Sequence, residues 1–221
     1  MTIDEYFKDW MKVLDRKETM KIMGWLKTIN PLTICPSVDK IFKAFELCPY
    51  NKCKVVFISQ DPYPQKGVAT GIVFGNNSDK NLSPSLNIIK EAVINYEIPH
   101  NFIIFDNSLE SWAKQGILML NSSLTCEVNK IGSHVNQWRP FISKLIRNLS
   151  NKESGIIYVL FGKDAQSLKP YINEKINDII EVPHPSYYAR NNKQMPHSIF
   201  IDINNKLYKR YGEKIIWYIE N

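Results

Sequence analysis

Four short apolar runs punctuate the chain, and each stops at a polar or turn-forming group. The first, residues 55–58 within KVVFISQDPYPQKGVATGIVF, gives way to Ser59, Gln60 and Asp61 and then to a turn built by Pro62, Pro64 and Gly67. Gly116 introduces the second, residues 117–120, which ends in Asn121-Ser122-Ser123; Gly155 opens the third, residues 156–161, which ends at Gly162; the fourth, residues 179–182, ends in Pro183-His184-Pro185-Ser186. Helical spacing fills the intervals. Residues 3–29 form two covering helices broken near Asp15-Arg16, and Val38, Ile41, Phe42 and Phe45 suggest a short helix before Pro49, with a loop marked by Pro31 and Pro36 between them. Ser83 reads as an N-cap with Pro84 in the first turn of a helix reaching about Tyr96. Residues 133–150 and 199–211 read as further helices, the last with Lys206, Lys209 and Arg210 near its end, where the helix dipole favours cations.

Strands alternating with helices predict a three-layer α/β/α fold: a central four-stranded, mainly parallel sheet flanked by helices on both faces, built as one domain over residues 1–221 with covering helices in 1–35. In a parallel sheet the strand ends emerge on one rim, so Asp61, Asn121, Gly162 and His184 would converge beyond the carboxyl ends, where open α/β folds bind ligands. Each has a plainer explanation by itself. Asp and Asn open turns, and a lone His is usually a hydrogen-bonded structural residue. Four strands ending alike favour a functional rim.

Composition narrows the picture. At 221 residues and 44% hydrophobic content the chain buries one sizeable core. Its 28 Lys and Arg against 22 Asp and Glu give a net charge of +6 and a pI near 9.0, which favours an anionic partner such as nucleic acid without establishing one. No apolar run approaches the ~20 residues of a membrane span, and MTIDEYFKDW is acidic and aromatic where a signal peptide is basic and then apolar. A soluble intracellular protein is expected, cytoplasmic, or nuclear or viral should the source be eukaryotic or viral. Cys35, Cys48, Cys53 and Cys126 lack a Cys-x-x-Cys pair and read as free thiols, so no metal is expected.

The rim also lacks a nucleophile elbow, a phosphate-cradling GxxxxGK[ST] loop and a His pair at metal spacing. A carboxylate that positions water, opposite a His that stabilises a departing anion, suits hydrolysis through a cation-like transition state. Asn121 offers donor and acceptor side by side for a planar heterocycle, and Phe74 could stack on such a ring.

SQDPYPQKGVATGIVFG, LSPSLNIIKE, SWAKQGILMLNSSLT, IYVLFGKDAQ and HPSYYARN, in this order and at these separations, resemble the motifs of the family 1 uracil-DNA glycosylases, with weaker similarity from about Pro36 through Trp217. The resemblance implies a monomeric hydrolase without metal or cofactor. It would flip uracil out of single- or double-stranded DNA and cleave its N-glycosidic bond, leaving an abasic site, because the reacting carbon is inaccessible inside stacked DNA. It assigns Asp61 to the attacking water and the cationic sugar, and His184 to the developing uracil anion. Gln60 would contact the base, Asn121 would read its N3–H and O4 edge, and Phe74 would stack on it. Tyr63 would press on C5 and exclude the methyl group of thymine. Ser85 and Ser186 would pinch the DNA backbone, with Gly162, Lys163 and Arg190 nearby. A DNA-mimicking protein inhibitor would fit the same basic groove.

The chain departs from the family pattern in several places. Ser59 and Pro64 stand where Gly and His usually flank Gln-Asp-Pro-Tyr, and only Pro84 remains of a proline-rich loop, which leaves that loop's rigidity without its usual source. Lys163 replaces a hydroxyl with a charge, which would steepen salt dependence. Tyr187, Tyr188 and Ala189 replace proline, leucine and serine, so Tyr188 would be the wedge that fills the vacated stack, with Arg190 or Lys193 compensating for the lost hydroxyl. Two other readings follow from these changes: a weakly catalytic homologue serving as a DNA-binding or replication scaffold, or a glycosylase of broader mismatch specificity. The retained Asp61, Asn121 and His184 speak against the first, Tyr63 and Asn121 against the second.

Overall fold

The computed structural model describes residues 2–77 and 82–221. In chain order its helices are α1 (Ile3–Phe7), α2 (Arg16–Leu26), α3 (Lys43–Leu47), α4 (Pro84–Val93), α5 (Glu110–Lys114), α6 (Val135–Lys152), α7 (Gly162–Gln166), α8 (Pro185–Arg190) and α9 (Ser198–Tyr211). The strands are β1 (Ile34–Cys35), β2 (Val55–Ser59), β3 (Ile103–Ile104), β4 (Ile117–Asn121), β5 (Cys126–Glu127), β6 (Ile157–Phe161), β7 (Asp178–Val182) and β8 (Ile219–Glu220).

Side chains alternate across a strand, and here both sets are apolar, so the sheet must be covered on both faces. Val56, Ile58, Leu118, Leu120, Tyr158 and Leu160 face one core, shared with α2, α3 and α6 and filled by Trp10, Phe42, Trp138 and Phe141. Val55, Phe57, Ile117, Met119, Ile157 and Val159 face the other, shared with α4, α5, α8 and α9 and filled by Trp112, Phe200 and Trp217. Every residue of β2, β4 and β6 is buried. At ~1.5–3 kcal/mol for each fully buried large apolar side chain, this double layer dominates the stability of the fold.

The four long strands pair in the order β4-β2-β6-β7, all parallel, as the alternation of runs and helices predicts. Registers Ser59↔Asn121 and Phe161↔Val182 bring their carboxyl ends level. From β2 the chain goes to one neighbour, β4, and later returns to the other side at β6. The connections therefore diverge at the β2–β6 boundary, and a crevice opens above it. At the opposite edge, Gly116 has φ +100°, and a Cβ there would lie 2.2 Å from Lys52 O, so only glycine admits the close approach that starts β4.

The helix boundaries follow local chemistry. Asp15 caps α2 by accepting the Glu18 N–H at 2.9 Å, which is why the amino-terminal helices break there. Ser83 caps α4 by accepting the Leu86 N–H at 3.1 Å, with Pro84 in the first turn. That helix ends at Val93, short of the expected Tyr96, because Asn95 and Tyr96 adopt positive φ. The pairs β1–β5 and β3–β8 and the five- and six-residue helices α5, α7 and α8 have no counterpart in the sequence reading. Elements of two to six residues are too short to express a hydrophobic period. Among the described residues no helix is long and apolar enough to cross a membrane.

Candidate active site

The crevice above β2 and β6 is a pocket of about 770 Å³. Gln60, Asp61, Tyr63, Phe74, Ser85, Asn121, Gly162, Lys163, His184, Ser186 and Arg190 all line it, so the structure brings together eleven of the twelve residues singled out from the sequence. The exception is Tyr188.

Hydrogen bonds between strand ends fix the rim. Beyond β4, the Ser122 N–H donates to Ser59 O at 2.7 Å, while the Ser123 N–H and the Ser122 hydroxyl donate to Gln60 O at 3.0 and 3.1 Å. Asp61 and Asn121 are therefore held side by side. The Asp61 carboxylate accepts the Gly132 N–H through Oδ2 at 3.0 Å. Its Oδ1 and the Oδ1 of Asn121 are both buried without a protein partner. A buried acceptor left unpaired costs ~1–3 kcal/mol, so two of them lining one pocket mark where a ligand's polar groups belong.

The turn after Asp61 is anchored from beneath. The Cys126 thiol donates to Pro62 O at 3.6 Å and the Cys35 thiol to Pro64 O at 3.4 Å, with the Asn129 N–H on Pro64 O at 2.9 Å. All four cysteines are free thiols. Burial pushes Cys126 up to about 12, so it stays a protonated donor. The segment carrying Gly132 is ordered by Thr125, whose hydroxyl oxygen accepts Trp138 Nε1–H at 2.8 Å and lies 3.0 Å from His134 Nδ1. Sequence reading had no means of finding Gly132, Cys35 or Cys126: their contributions are a backbone N–H and two weak thiol donors, invisible without the fold.

His184 lines the same pocket as the N-cap residue of α8. The Ser186 N–H donates to its Nδ1 at 3.1 Å and the Ser186 hydroxyl lies 2.8 Å from the same atom. A ring nitrogen that accepts a backbone N–H carries no proton, so neutral His184 holds its proton on Nε2. Burial and then the Arg190 guanidinium lower its pKa to about 4. Arg190 itself bonds Ser186 O at 3.2 Å and Ser186 Oγ at 3.4 Å. Gly162, at φ +85°, passes so close that a Cβ would stand 3.0 Å from His184 Cβ. Burial pushes the Asp61 carboxyl the other way, to about 6, against the Gly132 hydrogen bond and with help from the charge of Asp164. The pocket thus holds a neutral donor and a carboxylate whose pKa is raised to about 6.

Phe74 adopts φ +63° and is buried, packed edge-on to Phe161 at 5.1 Å and His184 at 5.7 Å between ring centres. Ile131 lines the mouth, 67% exposed, an apolar contact that sequence reading missed. Tyr188 lies outside the pocket lining. Its ring is only 7% exposed and packs into the core with residues of α4, whereas Tyr187 is 39% exposed on the outer surface of α8. In a helix of six residues the two side chains point about 100° apart, and the larger apolar demand of the α4 interface takes Tyr188. Neither tyrosine lines the pocket; Tyr187 is the exposed one of the two, with Lys193 Nζ 5.6 Å from its ring centre.

The uracil-DNA glycosylase superfamily model matches residues 45–208. The chain belongs to this superfamily. It is 42% identical over 189 residues to the uracil-DNA glycosylase of Mycoplasmopsis pulmonis, covering 85% of this chain and 84% of that one. It is 34% identical over 223 residues to that of Fusobacterium nucleatum, covering 96% of both. The crystal structure of mimivirus uracil-DNA glycosylase superimposes with a TM-score of 0.74 at 25% identity, over 98% of this chain and 93% of that one. A Y322F variant of the mimivirus enzyme, crystallised in complex with UGI, has the same TM-score at 24% identity, over 98% of this chain and 94% of that one.

Side-chain titration by NMR tests the electrostatics of this superfamily site directly. The Asp61 carboxyl carbon is expected to titrate near pH 6, and Asp164→Asn to move that midpoint downward by removing a neighbouring negative charge. His184 should remain the Nε2–H tautomer down to about pH 4. A His184 ring that takes up a proton near its ordinary value would refute the assigned burial and tautomer.

Proposed function

We propose that this protein is a family 1 uracil-DNA glycosylase that excises uracil from single- and double-stranded DNA and initiates base excision repair. The observation that carries the reading is the pairing, in one pocket, of a half-buried carboxylate with a neutral, Nε2-protonated histidine and an unpaired buried asparagine oxygen. Superfamily membership and relatives named uracil-DNA glycosylase supply the substrate class.

A flipped uracil stacks on Phe74, and Asn121 reads its polar edge. Asn121 Oδ1 takes the N3–H while the amide N–H₂ donates to O4, which satisfies the buried acceptor. As the glycosidic bond lengthens, negative charge gathers on the uracil and positive charge on the sugar. His184 donates from Nε2 to the first without adding a cation beside the second. Asp61 sits on the other side, where its charge opposes the sugar cation and its free oxygen orients water for attack. Gln60 lies beside this carboxylate at the pocket floor and contacts the base. No step calls for a metal or cofactor.

Ser85, Ser186, Gly162, Lys163 and Arg190 meet the DNA backbone along the same rim. The Ser186 hydroxyl is engaged with His184 and Arg190, so its share in phosphate binding couples backbone contact to the orientation of the histidine. The exposed ring of Tyr187, with Lys193 over it, is the group available to stack where the uracil has left. A protein inhibitor that mimics DNA occupies this rim too; the UGI complexes of mimivirus variants support that reading. The protein acts as a monomer in the compartment that holds DNA.

Uracil-containing single- and double-stranded oligonucleotides, incubated with the protein in chelator, should yield alkali-labile breaks; none at stoichiometric enzyme would remove the proposal. Asp61→Asn and His184→Leu should each slow single turnover by ~10²–10⁴-fold with DNA affinity largely retained. On duplex DNA, Tyr187→Ala should slow excision more than it does on single strands, whereas Tyr188→Ala should lower stability by ~3 kcal/mol or more through loss of a buried ring. The reverse pattern, with Tyr188→Ala stable and duplex-impaired, would return the wedge to Tyr188.

A further inference from the structure

Tyr63 lines the pocket with Phe74 and Asn121, and its hydroxyl is the midpoint of a hydrogen-bond chain whose direction is fixed at both ends. Phe74 O, a carbonyl, can only accept, so the Tyr63 hydroxyl donates to it, at 3.0 Å. The Ser83 hydroxyl, bonded to the same Tyr63 oxygen, must therefore donate to it. Ser83 Oγ is left to accept, and it takes the Leu86 N–H at 3.1 Å. The chain runs one way, from the backbone of α4 through two hydroxyls to the backbone of Phe74. Burial pushes the Tyr63 phenol up to about 12, so it keeps the proton this order requires.

We infer that Ser83 is a positioning residue for substrate discrimination: its hydroxyl clamps the Tyr63 ring in place and makes the pocket wall stiff where a 5-substituted pyrimidine would press on it. The inference rests on the reading that Tyr63 faces C5 of the bound base.

Stiffness matters because a methyl group in a yielding pocket changes affinity by only ~10–200-fold. A larger ratio requires a wall that cannot move aside. The Tyr63 ring lies between two prolines in Asp61-Pro62-Tyr63-Pro64, in the loop beyond β2, and packs beside Cys35, Ala69 and Cys126, none of which holds its hydroxyl end. The Ser83 and Phe74 bonds do. Phe74 gains as well, since its left-handed backbone is held at the carbonyl by the same phenol. The chain also joins the specificity wall to the turn that bears Ser85, so contact at the phosphate side of the pocket and shape at the base side share one rigid body. Where the family pattern would put prolines before Ser85, this chain obtains rigidity from hydrogen bonds.

The test compares kcat/KM on oligonucleotides carrying uracil, 5-fluorouracil or thymine. Ser83→Gly keeps a tolerable helix start while deleting the hydroxyl, Ser83→Thr keeps both, and Tyr63→Phe removes the phenol with the ring intact. Ser83→Gly should lower the uracil-to-thymine ratio about tenfold or more, the loss growing with the size of the 5-substituent, and Ser83→Thr should restore it. Tyr63→Phe should lower the ratio similarly, and the double variant Ser83→Gly/Tyr63→Phe no further, because both break the same chain. An unchanged ratio in Ser83→Gly, or effects that multiply in the double variant, would overturn the inference, since a helix cap alone predicts a stability loss without a change in ratio. Tyr63→Ala separates the two layers: if it gains no thymine activity the C5 reading itself fails, and if it gains activity while Ser83→Gly keeps its ratio, only the role of Ser83 falls.

Discussion

Covering both faces of a parallel sheet constrains everything else in this molecule. Once Val55 through Ile58, Ile117 through Leu120 and Ile157 through Phe161 are buried above and below, the sheet can expose polar groups only at its ends. At the carboxyl end the strands stop within a residue of each other, and the divergence of connections at β2 and β6 leaves the crevice open. Asp61, Asn121, Gly162 and His184 are there because the strand beneath each has run out of hydrophobic partners. The geometry of the candidate site is in this sense a boundary condition of the core.

That origin explains which parts were legible in the sequence. The four long strands and the helices α2, α4, α6 and α9 carry enough periodic apolar residues to be read directly, and their alternation implies the parallel order and the common rim. Convergence of Asp61, Asn121 and His184 follows from topology alone. The supports of the site were not legible, because they act through atoms that every residue has or through weak donors: the Gly132 N–H on Asp61, the Ser186 N–H on His184, and the thiols of Cys35 and Cys126 on the proline carbonyls. Tyr187 and Tyr188 illustrate a different limit. Motif position picks out Tyr188, but which of two adjacent tyrosines turns inward is decided by packing against α4, a contact about a hundred residues away in sequence.

The loop that bears Asp61 is held by backbone bonds although the flanks of its motif differ from the family pattern. Ser59 and Pro64 alter the flanks of the motif, yet the strand-end bonds to Ser59 O and Gln60 O and the three donors on Pro62 O and Pro64 O restrain four of the six carbonyls from Ser59 to Pro64. Rigidity is therefore distributed over backbone groups of β2, β4 and the 125–134 segment. No single flanking side chain is indispensable to it, which makes the departures at Ser59 and Pro64 physically tolerable.

The opposite shifts of Asp61 and His184 share their largest cause, burial, which in the proposed reaction works in favour of a charge-separated transition state. In the free pocket a carboxylate that has lost water and gained only one strong donor is uncomfortable, as its raised pKa records. A sugar that becomes cationic relieves this discomfort only as the bond breaks, so the relief belongs to the transition state and not to the bound substrate. In the proposed reaction His184 contributes by remaining uncharged. In that reaction a protonated ring would strengthen the hydrogen bond to the departing base but would also stand beside the sugar as a second cation, and burial, followed by the charge of Arg190, weights the balance toward the neutral form. The positive charge of Arg190 is thus held on the Ser186 carbonyl and hydroxyl rather than on the His184 ring.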